Sequence, residues 1–181
     1  MQFTDLSRDY FALFGLAADF ELDKAALAER YRELQRNVHL DRFANAGDAE
    51  RRLSMQMAAR VNEGYRVLKD PLMRARYLLE LAGLPVDDSQ SSLDGQFLMQ
   101  QMELRERLDA ARRATDAEQR LQALAKDLAL AEQGLIDELA GLFADGSPDA
   151  LTKAREASRK LQFYRRLAEE LLQFEEELSL S

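Results

Sequence analysis

The chain has 181 residues, 46% hydrophobic and 32% charged, with a formal charge of −8, no cysteine and one histidine. That composition describes a globular protein, and the absent thiols exclude a disulfide framework, a thiolate metal site and a cysteine nucleophile. A single histidine excludes a histidine metal cluster, so no cofactor is expected.

No apolar run approaches the ~18 residues of a spanning helix. The first residues, MQFTDLSRDYFALFGL, intersperse Asp5, Arg8 and Asp9 among apolar residues. They lack the cationic start and apolar core of a secretory signal, so the expected location is cytoplasmic, without membrane association. Charge is uneven. Residues 1–77 hold 13 Lys and Arg against 12 Asp and Glu, whereas residues 78–181 hold 12 against 21. The acidic second half argues against nucleic-acid binding, which needs clustered positive charge.

Apolar residues recur at three and four positions throughout, and no stretch alternates as a half-buried strand does, so the fold class is all-α. A short helix is predicted over 9–16, ending near Gly15. Asp23 is placed to cap a second helix, whose Leu27, Tyr31, Leu34 and Val38 step by four, three and four. Residues 39–47 read as a turn. A third helix spans 48–69, with Leu53, Met57, Val61, Gly64 and Leu68 on one side. Asp70-Pro71 then supplies an N-cap and a proline at the first helical position of a fourth helix, reaching residue 81.

The Gly-, Pro-, Asp- and Ser-rich segment at 83–92 is the clearest break in the chain. It divides a domain at 1–82 from one at 95–181, with 83–94 as linker. The second domain is predicted as a three-helix bundle. Its first helix covers 94–114. Its second opens on Thr115 and Glu118 at capping-box spacing and runs to 143. Ser147-Pro148 opens the last, which runs to 178. Leu121, Leu124, Leu128, Ala131 and Leu135 step as an antiparallel seam should.

Three surfaces invite partners. On the second helix Arg30, Arg32 and Arg36 lie outside the apolar stripe, followed in the turn by His39, Leu40, Asp41 and Arg42. On the first bundle helix, at about 100° per residue, Phe97, Leu104, Leu108 and Ala111 form one stripe. Leu98, Met99 and Met102 point to the far side with Glu103 and Glu106. A helix apolar on two faces is buried or keeps one face for a partner, and glutamates within the second stripe disfavour burial. On the last helix Ala154, Leu161, Ala168 and Leu172 form a seam with Phe163 almost opposite. Phe163 becomes informative if it lies beside Leu98 and Met102.

Tyr31 to Arg42 (YRELQRNVHLDR), with the partner helix ending NEGYRVLKDP at Asn62 to Pro71, resembles the J domain. PLMRARYLL (71–79), FLMQQMELRERL (97–108) and RKLQF (159–163) extend the resemblance, in order and spacing, to HscB. This is the J-type co-chaperone family of iron–sulfur cluster biogenesis. The resemblance implies a J domain followed by a three-helix bundle. It also implies an HscA-type, DnaK-like ATPase chaperone bound through Arg30, Tyr31, Arg32, Arg36, His39, Leu40, Asp41 and Arg42. An IscU-type scaffold would be bound through Leu98, Met99, Met102, Glu103, Glu106 and Phe163. The departure is Leu40, which stands where the family turn is His-Pro-Asp. Leucine there loses proline's restriction of φ, so weakened ATPase stimulation is expected.

Other classes fit less well. Catalysis by His39 and Asp41 lacks a nucleophile nearby and a phosphate-binding loop. A helix-turn-helix DNA reader conflicts with the acidity. A helical adaptor that binds a partner through the acidic bundle without regulating a chaperone remains open, because of Leu40.

Overall fold

The computed structural model describes residues 9–38, 47–87 and 95–180, and every regular element among them is helical. The helices are α1 (Tyr10–Phe14), α2 (Lys24–Val38), α3 (Asp48–Lys69), α4 (Pro71–Leu81), α5 (Gly95–Arg112), α6 (Ala117–Asp145) and α7 (Pro148–Ser179). The chain divides into two compact units, Met1–Leu78 and Leu79–Ser181.

Local chemistry sets the ends of most helices. The Asp9 carboxylate accepts from Ala12 N–H at 2.8 Å, and Gly15, with φ 66°, ends α1 in a left-handed conformation that a Cβ would strain. The Asp23 carboxylate accepts from the amides of Ala25 and Ala26 at 2.8 and 3.0 Å. Asp70 closes α3 and opens α4, accepting from Met73 N–H at 2.8 Å ahead of Pro71. Ser147 accepts from Ala150 N–H at 3.2 Å, and Pro148 takes the first turn of α7.

One predicted cap is corrected. The N-cap of α6 is Asp116, not Thr115, and it makes no side-chain capping bond. Arg120 at i+4 donates to the Asp116 carboxylate at 2.8 Å, and Gln122 donates to Glu118 at 3.4 Å. Charge-assisted pairing along the helix thus takes the groups that a capping box would use.

In the first unit Phe11, Phe14, Leu27, Val61 and Leu68 form the core, with Tyr10, Tyr31, Leu34, Tyr65 and Tyr77 packed around it. Burying each large apolar side chain contributes about 1.5–3 kcal/mol. The 22-residue α3 packs against both α1 and α2. Gly64 lets the aromatic rings of α1 lie directly on its backbone. Tyr77 Oη accepts from Tyr10 N–H at 2.9 Å, so α4 holds the first turn of α1. Arg74 is buried; it donates to the Leu68 carbonyl and its guanidinium lies 5.0 Å from the Phe20 ring centroid.

In the second unit α6 and α7 form a long hairpin, and α5 packs on both. Phe97, Leu104, Leu108 and Ala111 of α5 are buried, as the α5 stripe predicts. Leu121, Leu124, Leu128, Leu135 and Leu139 of α6 are buried too, with Ala131 half-buried between them. The expected α7 seam is displaced. Ala154 and Leu161 are buried, but Ala168 is half-buried and Leu172 is 57% exposed, while Tyr164, Leu167 and Leu171 are buried. A helix touching two neighbours buries a face centred between them, and a seam drawn for one partner misses that centre.

Candidate functional site

The first surface belongs to the α2–α3 hairpin. Arg32 and Arg36 are exposed and, at 100° per residue, lie about 40° apart on the side away from Tyr31. Arg30 lies on the opposite flank and pairs with Glu33 at 3.0 Å. Two of the three predicted arginines therefore share a face, and the third does not.

Tyr31 is committed to the hairpin. Its ring stacks on Tyr65 with centroids 4.0 Å apart and planes 13° from parallel. Its hydroxyl donates to Asn62 at 2.9 Å and accepts from Gln35 at 2.6 Å. His39, Leu40, Asp41 and Arg42 lie outside the described residues. At the end of α2, Ser54 Oγ of α3 donates to the Val38 carbonyl at 2.8 Å. A helix leaves its last carbonyls without intrahelical donors, and Ser54 satisfies one of them from inside the hairpin. Ser54 escaped the sequence reading because it stands beside the apolar position Leu53, and a buried serine has no periodic signature.

The second surface belongs to α5 and α7. Leu98, Met99 and Met102 are 53%, 74% and 59% exposed, and Glu103 and Glu106 are exposed beside them. Large apolar side chains clustered on one exposed face mark a binding surface more often than scattered ones do. Phe163 differs from its predicted pose. It is half-buried rather than projecting away from the bundle, because its ring meets Phe97 at 5.7 Å between centroids, with planes 85° apart. Phe97 precedes Leu98, so Phe163 joins the end of α5 that carries the apolar face. Arg107 and Asp127 tie α5 to α6 at 2.6 Å on the solvent side.

No three His, Cys, Asp or Glu side chains among the described residues could hold a metal ion. No helix among them is long and apolar enough to cross a membrane. Among the described residues both surfaces offer contact area and charge.

Residues 93–172, which contain the whole of α5 and most of α7, match the HSCB C-terminal oligomerisation domain. Over 172 residues, 94% of this chain and 98% of its relative, the sequence is 43% identical to the co-chaperone protein HscB homolog of Pseudoalteromonas atlantica. The chain belongs to the HscB co-chaperone family. Its fold is similar to that of chaperone HscB from Vibrio cholerae, with a TM-score of 0.84 at 37% identity over 94% of this chain and 99% of that one. It is equally similar to human co-chaperone protein HscB, at a TM-score of 0.84 and 30% identity over 92% of this chain and 82% of that one. The architecture of HscB, a J domain followed by a C-terminal helical bundle, is that of the two units. HscB co-chaperones are non-enzymatic helper proteins, and this one is a co-chaperone and not an enzyme.

Proposed function

We propose that the protein binds an IscU-type iron–sulfur scaffold through its bundle and delivers it to an HscA-type chaperone, whose ATPase its J domain stimulates. The observation that carries the reading is the exposed Leu98, Met99 and Met102 face of α5, with Phe163 at the same end of the helix. In this reading the J domain is 1–82, the linker 83–94 and the scaffold-binding bundle 95–181. The protein acts in the cytoplasm.

Leu98, Met102 and Phe163 serve as apolar anchors, with Met99 beside them. Glu103 and Glu106 on the rim set orientation and encounter rate. On the other unit Arg32 and Arg36 offer the charge that meets an acidic chaperone surface, with Arg30 on the flank. Tyr31 acts by stiffening α2, and His39, Leu40, Asp41 and Arg42 contact the chaperone. A chain that holds scaffold and chaperone together makes the second encounter intramolecular, at an effective concentration on the order of millimolar. The cluster is cargo ligated elsewhere, and this chain has no cysteine thiolate to offer it.

Leu40 favours a second reading, a helical adaptor that binds a partner through the acidic bundle without regulating a chaperone. Two measurements separate them. Changing Leu98, Met102 and Phe163 together to alanine should abolish binding to a purified IscU-type scaffold by calorimetry while helicity stays intact; undiminished binding sinks the α5 surface. Stimulation of an HscA-type ATPase by the unmodified protein supports the first reading, and its complete absence leaves the adaptor.

A further inference from the structure

Phe163 belongs to a closed triangle of aromatic rings. Its centroid is 5.7 Å from Phe97 at 85° between planes and 5.7 Å from Tyr164 at 73°. Phe97 and Tyr164 complete the figure at 6.2 Å and 52°. All three separations fall within the range where aromatic pairs attract through their quadrupoles, and the two near-perpendicular pairs have the favoured edge-to-face form.

Two vertices are fixed and one reaches solvent. Phe97 is 3% exposed and Tyr164 is buried, while Phe163 is half-buried. The Lys160 ammonium lies 5.4 Å from the Phe97 centroid, a further restraint on that ring. Burial pushes the Tyr164 phenol above its ordinary value, partly opposed by the Gln100 side chain of α5, one turn beyond Phe97. The accessible ring therefore rests on two rings that the bundle core holds in place.

We infer that Phe97 and Tyr164 are positioning residues for docking: they hold Phe163 edge-on beside the Leu98 and Met102 face, so that the anchor is set before the partner arrives. The inference rests on the scaffold-binding reading of that face and adds how its aromatic anchor is built. A side chain already confined to its bound pose loses less conformational freedom on association, which appears chiefly as slower dissociation. Neither Phe97 nor Tyr164 needs to touch the partner.

The test is a double-mutant cycle on the full-length protein, read as dissociation of a purified IscU-type scaffold by surface plasmon resonance. Phe97→Leu, which keeps the site apolar, should speed dissociation roughly two- to tenfold, the factor one aromatic pair is worth. Tyr164→Leu should act in the same direction. In a Phe163→Ala background Phe97→Leu should have no further effect, because its influence passes through that ring. In the free protein, the ring resonances of selectively labelled Phe163 should lose their dispersion on Phe97→Leu, with far-UV circular dichroism unchanged.

An equal effect of Phe97→Leu with and without Phe163 overturns the positioning role, since the change then acts through the bundle as a whole. So does unchanged dissociation in Phe97→Leu when Leu98→Ala with Met102→Ala does weaken binding, and in that case the docking surface itself stands. If Leu98→Ala with Met102→Ala leaves binding intact, the docking surface fails and the positioning role falls with it.

Discussion

Alanine at Gly64 should destabilise the first unit, whereas alanine at Gly134 should stabilise the second. Both glycines lie inside long helices, where exchange for alanine gains about 0.8–1.0 kcal/mol from backbone entropy and solvation. Around Gly134 a new Cβ meets nothing within 4 Å, so the gain is realised in full. At Gly64 the Cβ would fall 2.9 Å from Tyr10 Cδ1 and 3.0 Å from Phe14 Cε2. Those rings have little room to retreat. Phe14 is 2% exposed, and Tyr10 is held by the Tyr77 hydroxyl on its amide, by the Tyr77 ring at 4.8 Å and by the Arg60 guanidinium at 5.1 Å. Forcing a methyl group into such a contact costs about 1–3 kcal/mol, which the helical gain offsets only in part. The net loss is up to about 2 kcal/mol, and for a unit of this size each kcal/mol moves the melting temperature by about 4–8 °C. Four of the five tyrosines, Tyr10, Tyr31, Tyr65 and Tyr77, lie in the first unit and the chain has no tryptophan. Urea titration followed by tyrosine fluorescence therefore reports mainly on that unit, and circular dichroism on both. A Gly64→Ala protein as stable as Gly134→Ala would refute the close approach of α1 to α3.

Ser54→Ala should cost about 1–3 kcal/mol in urea titrations of the first unit, because the Val38 carbonyl loses its buried donor; Ser54→Thr, which keeps a hydroxyl, should recover most of it. Leu40→Pro should raise ATPase stimulation of an HscA-type chaperone, by about two- to fivefold in apparent affinity if proline's restriction of φ is its whole effect. Full stimulation by the unmodified protein would show that position 40 does not need proline. Burial pushes the Tyr77 phenol above the ordinary tyrosine value, partly opposed by the Tyr10 amide that bonds its oxygen. A folded-state value above the unfolded one gives stability that is present below about pH 10 and lost as the pH climbs through the folded value. The urea midpoint of the first unit should fall across that window, and Tyr77→Phe should flatten the fall.

The helices were legible because their signals are local. Asp23, Asp70-Pro71 and Ser147-Pro148 act within one turn of chain, and apolar spacing marked the core faces of α2, α3, α5 and α6. What was not legible depends on neighbours distant in sequence. Asp116 displaced Thr115 as a cap once Arg120 reached back to it, and Leu171 replaced Leu172 in the core because α7 faces two helices. Phe163 could be placed opposite a one-partner seam on a wheel, but its hold on Phe97 needed the packing of α5 against α7. Tyr31 read both as an apolar step and as a partner contact, and its stack on Tyr65 bears out the first.

The five-residue α1 is too short to persist alone, since its few internal bonds cannot repay nucleation. Its amide at Tyr10 is tied to a hydroxyl 67 residues further along the chain. The order of assembly follows: α3 and α4 must be in register before α1 has anything to close upon. Hydrogen exchange at Tyr10 should consequently report the undocking of α1 as one step, ahead of the opening of the rest of the first unit. Refolding should show α1 acquiring protection in the last step.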